Sequence, residues 1–551
     1  MPETKKTSYL KSAAILAAAT IFVKIIGAVY KVPILTILGN EGTGYFQTTY
    51  GIYTMILTIA TAGIPAALSR LVSSAATKGK TALVKRYFSV ALPAFIIIGT
   101  IAMVVMYAFA DQFAAMMNNP PAADGIRVLA PAVLFVCIIS VYRGYMQGFE
   151  NMVPTAVSQA VEVLCKAAFG ISAAMWLVSM NYEKYIVSAG SIMGVTVGLG
   201  LCVPLLVWYK KRYDRKQAVA GSSGGDDGAA DELPGRMRVF GRLMEVSIPI
   251  TLGASFMAIM TVIDNSVVLG RLQNALHYTV QESSALSGIL TKGLTVYNFP
   301  PALIVPVAVS IIPAIAAALA INRDNDAANI MQSSVKLTNL LAMPAGAGIA
   351  VLAGPILKVL YYDPAETPET AALMAAMLSI LGLASFFVCL QHVTTAILQA
   401  SGHERIALMT FPVGAVIKII ITYTLAGNPD VGIVASPIGT LVCFMVISAL
   451  NIFFILIKVN KKLKFGVAFL KPFFCTAIMS VVAFLTYKLV FLLGAGALGV
   501  GRLAQVVYLA ASIFVAVIVY GILIIVMRAI TMEDMVLVPK GEKVAKILKI
   551  R

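Results

Sequence analysis

The chain is a succession of apolar stretches of about 20 residues or more, the length an α-helix needs to cross roughly 30 Å of hydrocarbon. In lipid every backbone N–H and C=O must find its partner inside the protein, so only helices or a closed barrel can span. The runs are continuous rather than alternating, which predicts a helical bundle and not a barrel. Composition agrees: 59% of residues are apolar and 12% charged, against about a quarter charged in soluble domains.

Spans are expected at 12–38, 45–76, 86–110, 126–149, 154–180, 185–209, 241–271, 285–320, 336–360, 371–400, 405–427, 431–457, 466–491 and 503–528, about fourteen in all. Lys5, Lys6 and Lys11 ahead of an apolar run look like the start of a signal peptide. The run continues to Leu38, too long for a cleaved segment, and reads as a retained first span. Spans two and eight are interrupted by Pro65 and by Pro300, Pro301, Pro306 and Pro313, which predicts kinks or breaks there.

A polar Gly/Ser/Asp stretch follows span six (Gly221 to Asp227) and reads as a linker. The expected organisation is a first lobe over 1–216 (spans one to six), a cytoplasmic linker over 217–238 and a second lobe over 239–460 (spans seven to twelve). A C-terminal helix pair over 461–530 and a basic cytoplasmic tail over 531–551 complete it.

Basic residues set the orientation. Clusters at Lys78 to Arg86, Lys210 to Lys216, Lys458 to Lys464 and in the tail all fall on one side. The opposite loops carry only Arg127, Lys184, Arg271 and Arg502, with acidic Asp363, Glu366 and Glu369. This is the positive-inside pattern and puts both termini in the cytoplasm of a multi-pass plasma-membrane protein. The net charge of +17 is thus a topology signal with some attraction to anionic lipid, and not a nucleic-acid footprint.

The halves repeat. Phe135-Val136-Cys137 recurs as Phe387-Val388-Cys389, and at the same offset Gln147 and Lys166 recur as Gln399 and Lys418; Ile64-Pro65-Ala66 recurs as Ile312-Pro313-Ala314. The matches fall on corresponding spans, and an even number of spans per half makes the repeat parallel, as in several transporter folds. The six cysteines all lie in spans, show no metal spacing and imply no disulfide framework.

Ionisable residues inside spans are costly and mark function by default. Seven cations qualify: Lys24 and Lys31 in span one, Arg70 in span two, Arg143 in span four, Lys166 in span five, Lys292 in span eight and Lys418 in span eleven. Against them stand only Glu162 and Asp264. Plainer readings exist for several. Arg70 and Arg143 can snorkel to an interface. Glu162 and Lys166, spaced i,i+4, can neutralise each other, and Asp264 can pair with Lys292. His392 reads as a hydrogen-bonded core residue. The surplus of positive charge nonetheless points to an anionic ligand, phosphate above all. Lys24, Gly27, Ala28 and Lys31 share one helix face, with small residues leaving room beside the charges. Glu162, Lys166, Asp264 and Lys418 are also the residues from which an ion or proton coupling site, or structural pairs, would be built.

No GxxxxGK[ST] loop, HExxH or CxxC occurs, so neither ATP hydrolysis nor a metal centre is expected in the chain, and no cofactor. The runs Lys24 to Pro33 (KIIGAVYKVP), Gly42 to Phe46 (GTGYF), Gly63 to Arg70 (GIPAALSR) and Tyr142 to Phe149 (YRGYMQGF) resemble the stage V sporulation protein B family. That family stands with the MurJ-type lipid II flippases in the multidrug/oligosaccharidyl-lipid/polysaccharide exporter superfamily. The resemblance implies a MATE/MurJ-like all-α membrane fold. It further implies movement of undecaprenyl-pyrophosphate-linked sugar precursors, lipid II first among them, from the inner to the outer leaflet. By position it gives Lys31, Arg70 and Lys292, with Lys24 adjacent, the role of facing the pyrophosphate. Lysine stands in span one where Gram-negative flippases carry arginine, so the phosphate geometry should differ. Membrane potential, Na⁺ or H⁺ would supply the energy, and the cell-wall synthesis machinery is a candidate partner. A cation-coupled multidrug exporter and a non-transporting scaffold for wall or spore envelope assembly are the alternatives.

Overall fold

The structure, a computed structural model, describes residues 3–221, 234–321, 323–362, 367–458, 465–499 and 501–530. The centre of the expected linker and the basic tail lie outside the described residues. Two compact units emerge, Met1–Gln273 with Tyr278–Gly288, and Asn274–His277 with Ile289–Arg551.

The first unit contains α1 (Glu3–Thr61), α2 (Ile64–Thr77), α3 (Thr81–Ala108), α4 (Ala110–Met116), α5 (Ala123–Gly148), α6 (Val153–Ser179), α7 (Lys184–Gly221), α8 (Arg236–Leu276) and the start of α9 (Val280–Tyr297). The second contains the rest of α9, then α10 (Phe299–Ala320), α11 (Asp324–Val351), α12 (Ala353–Leu360), α13 (Pro368–Ala400), α14 (Glu404–Leu425), α15 (Ala435–Lys458), α16 (Phe465–Leu498) and α17 (Arg502–Val526). No strand occurs among the described residues.

Thirteen helical stretches among the described residues are long and apolar enough to cross a membrane. From the third onward they match the expected spans one for one. Spans one and two fall in the continuous stretch Val29–Thr77 and are parted at Gly39, where a non-helical backbone separates two helices at the expected boundary. Gly39 has φ 68°, a left-handed conformation that a Cβ would disfavour. The Thr43 hydroxyl donates to the Gly39 carbonyl that the bend exposes.

Three of the five interrupting prolines mark real helix starts. Pro65 lies in the first turn of α2, and Pro300 and Pro301 open α10, where a missing N–H costs nothing. Pro306 and Pro313 sit inside α10. The linker is shorter than the sequence suggests, since α7 runs on to Gly221 and α8 begins at Arg236.

Packing repeats between the units as the sequence does. In the first, α5 packs against α2, α3 and α7, and α6 against α7; in the second, α13 packs against α10, α11 and α15, and α14 against α15. The recurring Cys137 and Cys389 are both fully buried, at 0% exposure. The C-terminal pair α16 and α17 pack on each other and are tied to α11 from both sides. Asn339 Nδ2 donates to the Ala468 carbonyl at 2.9 Å, and the Tyr520 hydroxyl to the Leu340 carbonyl at 2.8 Å.

A polar belt holds α8 and the start of α9 to the first unit, although the sequence places them at the head of the lobe expected over 239–460. Gln273 Nε2 donates to the Asn118 carbonyl (2.7 Å) and the Ser283 hydroxyl (2.8 Å). Asn119 bridges Thr48 and Ser284. The backbones touch here: a Cβ at Gly44 would lie 2.0 Å from the Ser284 carbonyl oxygen, and one at Gly288 only 1.8 Å from that of Asn40.

Gly288→Ala must therefore push α9 off α1. We expect it to cost about 1–3 kcal/mol, read as a lowered Tm of the purified protein in detergent. Gly348→Ala, whose added Cβ would meet nothing within 4 Å, should leave Tm unchanged.

Candidate functional site

The charged residues of the spans are held in three different ways. Arg143 on α5 is neutralised by its neighbour helix. Its Nη2 donates to Glu162 Oε2 at 3.1 Å and its Nε to the Ser158 hydroxyl at 2.9 Å, both on α6. The Ser158 hydroxyl in turn donates to the Thr155 carbonyl at 3.0 Å. The sequence offered Lys166 as the partner of Glu162. The structure gives Glu162 to Arg143 instead, because α5–α6 packing aims a planar fork of donors at both acceptors, which outweighs an i,i+4 contact.

Lys166 is solvated by aromatic rings. Its Nζ lies 4.8 Å from the Tyr50 ring centre and 5.6 Å from that of Tyr30, and donates to the Tyr50 hydroxyl at 3.3 Å. Both are within cation–π range. Tyr50 belongs to a stripe on α1, with Phe46 stacked at 5.7 Å and Tyr53 tilted at 5.7 Å. The i, i+4, i+7 spacing of Phe46, Tyr50 and Tyr53 was the sequence signal for this platform, and charge alone did not point to it. Lys31, the residue after Tyr30 on α1, is half-buried.

In the second unit Lys292 is 6% exposed, with Nζ 5.4 Å from the centre of the buried Tyr361 ring. Burial pushes the Tyr361 phenol up to about 12, so the ring meets the ammonium as a neutral π face. Lys418 on α14 is half-buried, its aliphatic stem against α15, where a Cβ at Gly439 would come within 3.3 Å of Lys418 Cγ.

The remaining expected residues are dispersed. Arg70 is exposed on α2, Asp264 is buried on α8, and His392 is half-buried on α13. The Lys24 side chain lies outside the described residues. Among the described residues no group of three or more His, Cys, Asp or Glu is placed to hold a metal ion. All six cysteines are free thiols.

The second unit also carries an apolar groove of about 500 Å³ between α11, α13 and α16, walled by Met343, Leu383, Phe386, Phe387, Phe469 and Phe473. Such a surface accepts hydrocarbon and offers little to a charged solute.

Removing one partner of the Arg143–Glu162 pair leaves the other charge buried. We expect Arg143→Gln to lower stability by about 1–3 kcal/mol. Glu162→Gln in the same chain should recover most of the loss, as a double-mutant cycle of detergent Tm values will show.

A family model described as "Polysaccharide biosynthesis protein" matches residues 9–319, and the MatE model matches residues 249–424. The chain is similar to the lipid II flippase MurJ of Bacillus subtilis (strain 168), 26% identical over 448 residues covering 78% of this chain and 80% of that protein. It is similar to stage V sporulation protein B of the same organism, 23% identical over 540 residues, 97% of this chain and 98% of the relative. Its fold matches the solved structure of the lipid II flippase MurJ in an inward closed conformation. The TM-score is 0.67 at 15% identity, over 93% of this chain and 99% of the other. With a matched model spanning more than half its length, the chain belongs to the polysaccharide biosynthesis protein family and is a membrane transporter of the multidrug/oligosaccharidyl-lipid/polysaccharide exporter superfamily.

Proposed function

We propose that the protein is a flippase that carries an undecaprenyl-pyrophosphate-linked cell-wall precursor, lipid II in the first instance, from the inner to the outer leaflet. The observation that carries this reading is the charge balance of the spans, seven cations against two carboxylates, one of which is already engaged by Arg143. An apolar bundle with that surplus favours an anionic passenger, and a pyrophosphate is the anionic part of such a lipid. The relatives named for lipid II translocation and for sporulation support it.

The cationic candidates for the head group are Lys24, Lys31 and Arg70 in the first unit and, in the second, Lys292; the prenyl chain stays in hydrocarbon, to which the α16 groove of the second unit offers an apolar wall. Alternating exposure of the head-group site to the two leaflets moves the lipid without bond chemistry, so the protein works as a transporter and not as an enzyme. Both termini face the cytoplasm. Each positive charge that moves across the field is worth about 2.3 kcal/mol per 100 mV, so membrane potential can drive the cycle without a bound nucleotide.

The MatE match over 249–424 favours a second reading, cation-coupled export of small drugs. A carrier of organic cations should have unpaired carboxylates, the reverse of the balance seen here. A scaffold without transport is the third reading.

The variants Lys31→Gln, Arg70→Gln and Lys292→Gln separate them. Under our reading each abolishes rescue of cells depleted of their lipid II flippase and stops the appearance of lipid II on the outer leaflet. Rescue by the neutral variants would sink it in favour of a scaffold. Drug efflux by the wild type that survives all three changes would favour the exporter.

A further inference from the structure

Lys166 is unaccounted for by the charge pairing around it. Its i,i+4 neighbour Glu162 is engaged by Arg143, and among the described residues neither Lys166 nor Lys31 has a carboxylate within ion-pair distance. Elsewhere in the same unit carboxylates are supplied freely: Arg127 has Asp111 and Asp124, and Lys210 has Asp214. Lys166 stands over the Tyr30 ring and Lys31 is the next residue along α1, so two cationic side chains flank one tyrosine inside an apolar unit.

Three further observations mark the place as one that receives something. Tyr30 is 5% exposed, yet its hydroxyl has no hydrogen-bond partner, a rare state for a buried donor. The Tyr50 hydroxyl accepts from Lys166 and still has its own proton to give. One turn before Lys31, a Cβ at Gly27 would meet nothing within 4 Å, so there is room along the helix face.

We propose that Lys31, Lys166 and the Tyr30 and Tyr50 hydroxyls form a diphosphate-binding site within the first unit, with Lys166 contacting the ligand and Arg143 acting as a positioning residue. A diphosphate diester spreads two negative charges over its oxygens, and two ammonium groups with flanking hydroxyls match it in charge and donor number. Lysines are point charges on flexible stems, suited to a head group that must also be released. The role of Arg143 follows from competition. Glu162 is the internal anion that would otherwise fold onto Lys166, and the guanidinium keeps it away. This site rests on the flippase reading and deepens it, adding a span-five lysine and two tyrosines to the head-group contacts.

The test is binding of radiolabelled undecaprenyl pyrophosphate to the full-length protein in nanodiscs, with Tm measured in parallel. Lys166→Gln should weaken binding about tenfold or more, and Lys166→Arg should stay within about threefold of wild type. Tyr50→Phe, which keeps the ring, should weaken it about fivefold. Arg143→Gln, assayed well below its own Tm so that the protein stays folded, should weaken binding by freeing Glu162, and adding Glu162→Gln should restore it; an arginine that only supports the fold would leave binding by the folded protein unchanged. Displacement by inorganic pyrophosphate identifies the diphosphate as the recognised group, whether free or lipid-borne; displacement by undecaprenol alone would overturn the site. So would Lys166→Gln with wild-type affinity and a lowered Tm. The two readings fail separately. Wild-type lipid II translocation with undiminished binding by Lys166→Gln sinks the site alone, whereas Lys166-dependent diphosphate binding without translocation sinks the flippase and leaves the site.

Discussion

Positive charge inside hydrocarbon has to be solvated by something other than water, and the interior of this protein is arranged around how that is done. Arg143 uses a carboxylate and a hydroxyl from the adjacent helix. Lys166 and Lys292 use ring faces, Tyr50 and Tyr30 for one and Tyr361 for the other. The second solution has a consequence the first lacks. A ring stabilises an ammonium without cancelling its charge, so Lys166 remains able to attract an anion. An ion pair ends the matter locally. The difference between the silent arginine on α5 and the available lysine on α6 is thus one of solvating partner.

Helix contacts in such a chain cannot rely on hydrophobic burial, because lipid is as apolar as leucine. The close contacts are made instead by glycine and by small polar groups. Gly44 and Gly288 bring α1 and the start of α9 to backbone contact, and Asn119, Ser284, Gln273 and Asn118 stitch the same region with hydrogen bonds. This explains why α8 is held to the first unit even though a polar linker precedes it. A linker marks where the chain can be parted, whereas contacts decide what it is parted from.

Much of this was legible from the residues. Unbroken apolar runs gave the spans from the third onward, since hydrocarbon thickness fixes helix length. Pro65 and the Pro300–Pro301 pair gave the two broken spans, since the first turn of a helix is where proline forfeits no hydrogen bond. The recurring Phe-Val-Cys marked α5 and α13, which occupy matching places in the packing of their units. Spans one and two part at Gly39, whose positive φ is the local device that turns the chain between them.

The sequence by itself determined that the chain is a helical membrane bundle and that its spans carry far more positive than negative charge. These are properties of length, composition and local pattern. Only the tertiary structure decided which charges are cancelled. Glu162 stands four residues from Lys166 and nineteen from Arg143, yet it is the distant arginine that it meets. Helix packing sets that choice, because a residue nineteen positions away has no say until the fold brings its helix, and its donors, alongside. The same packing placed Tyr30 and Tyr50 under Lys166, and no spacing rule within one helix could have done so.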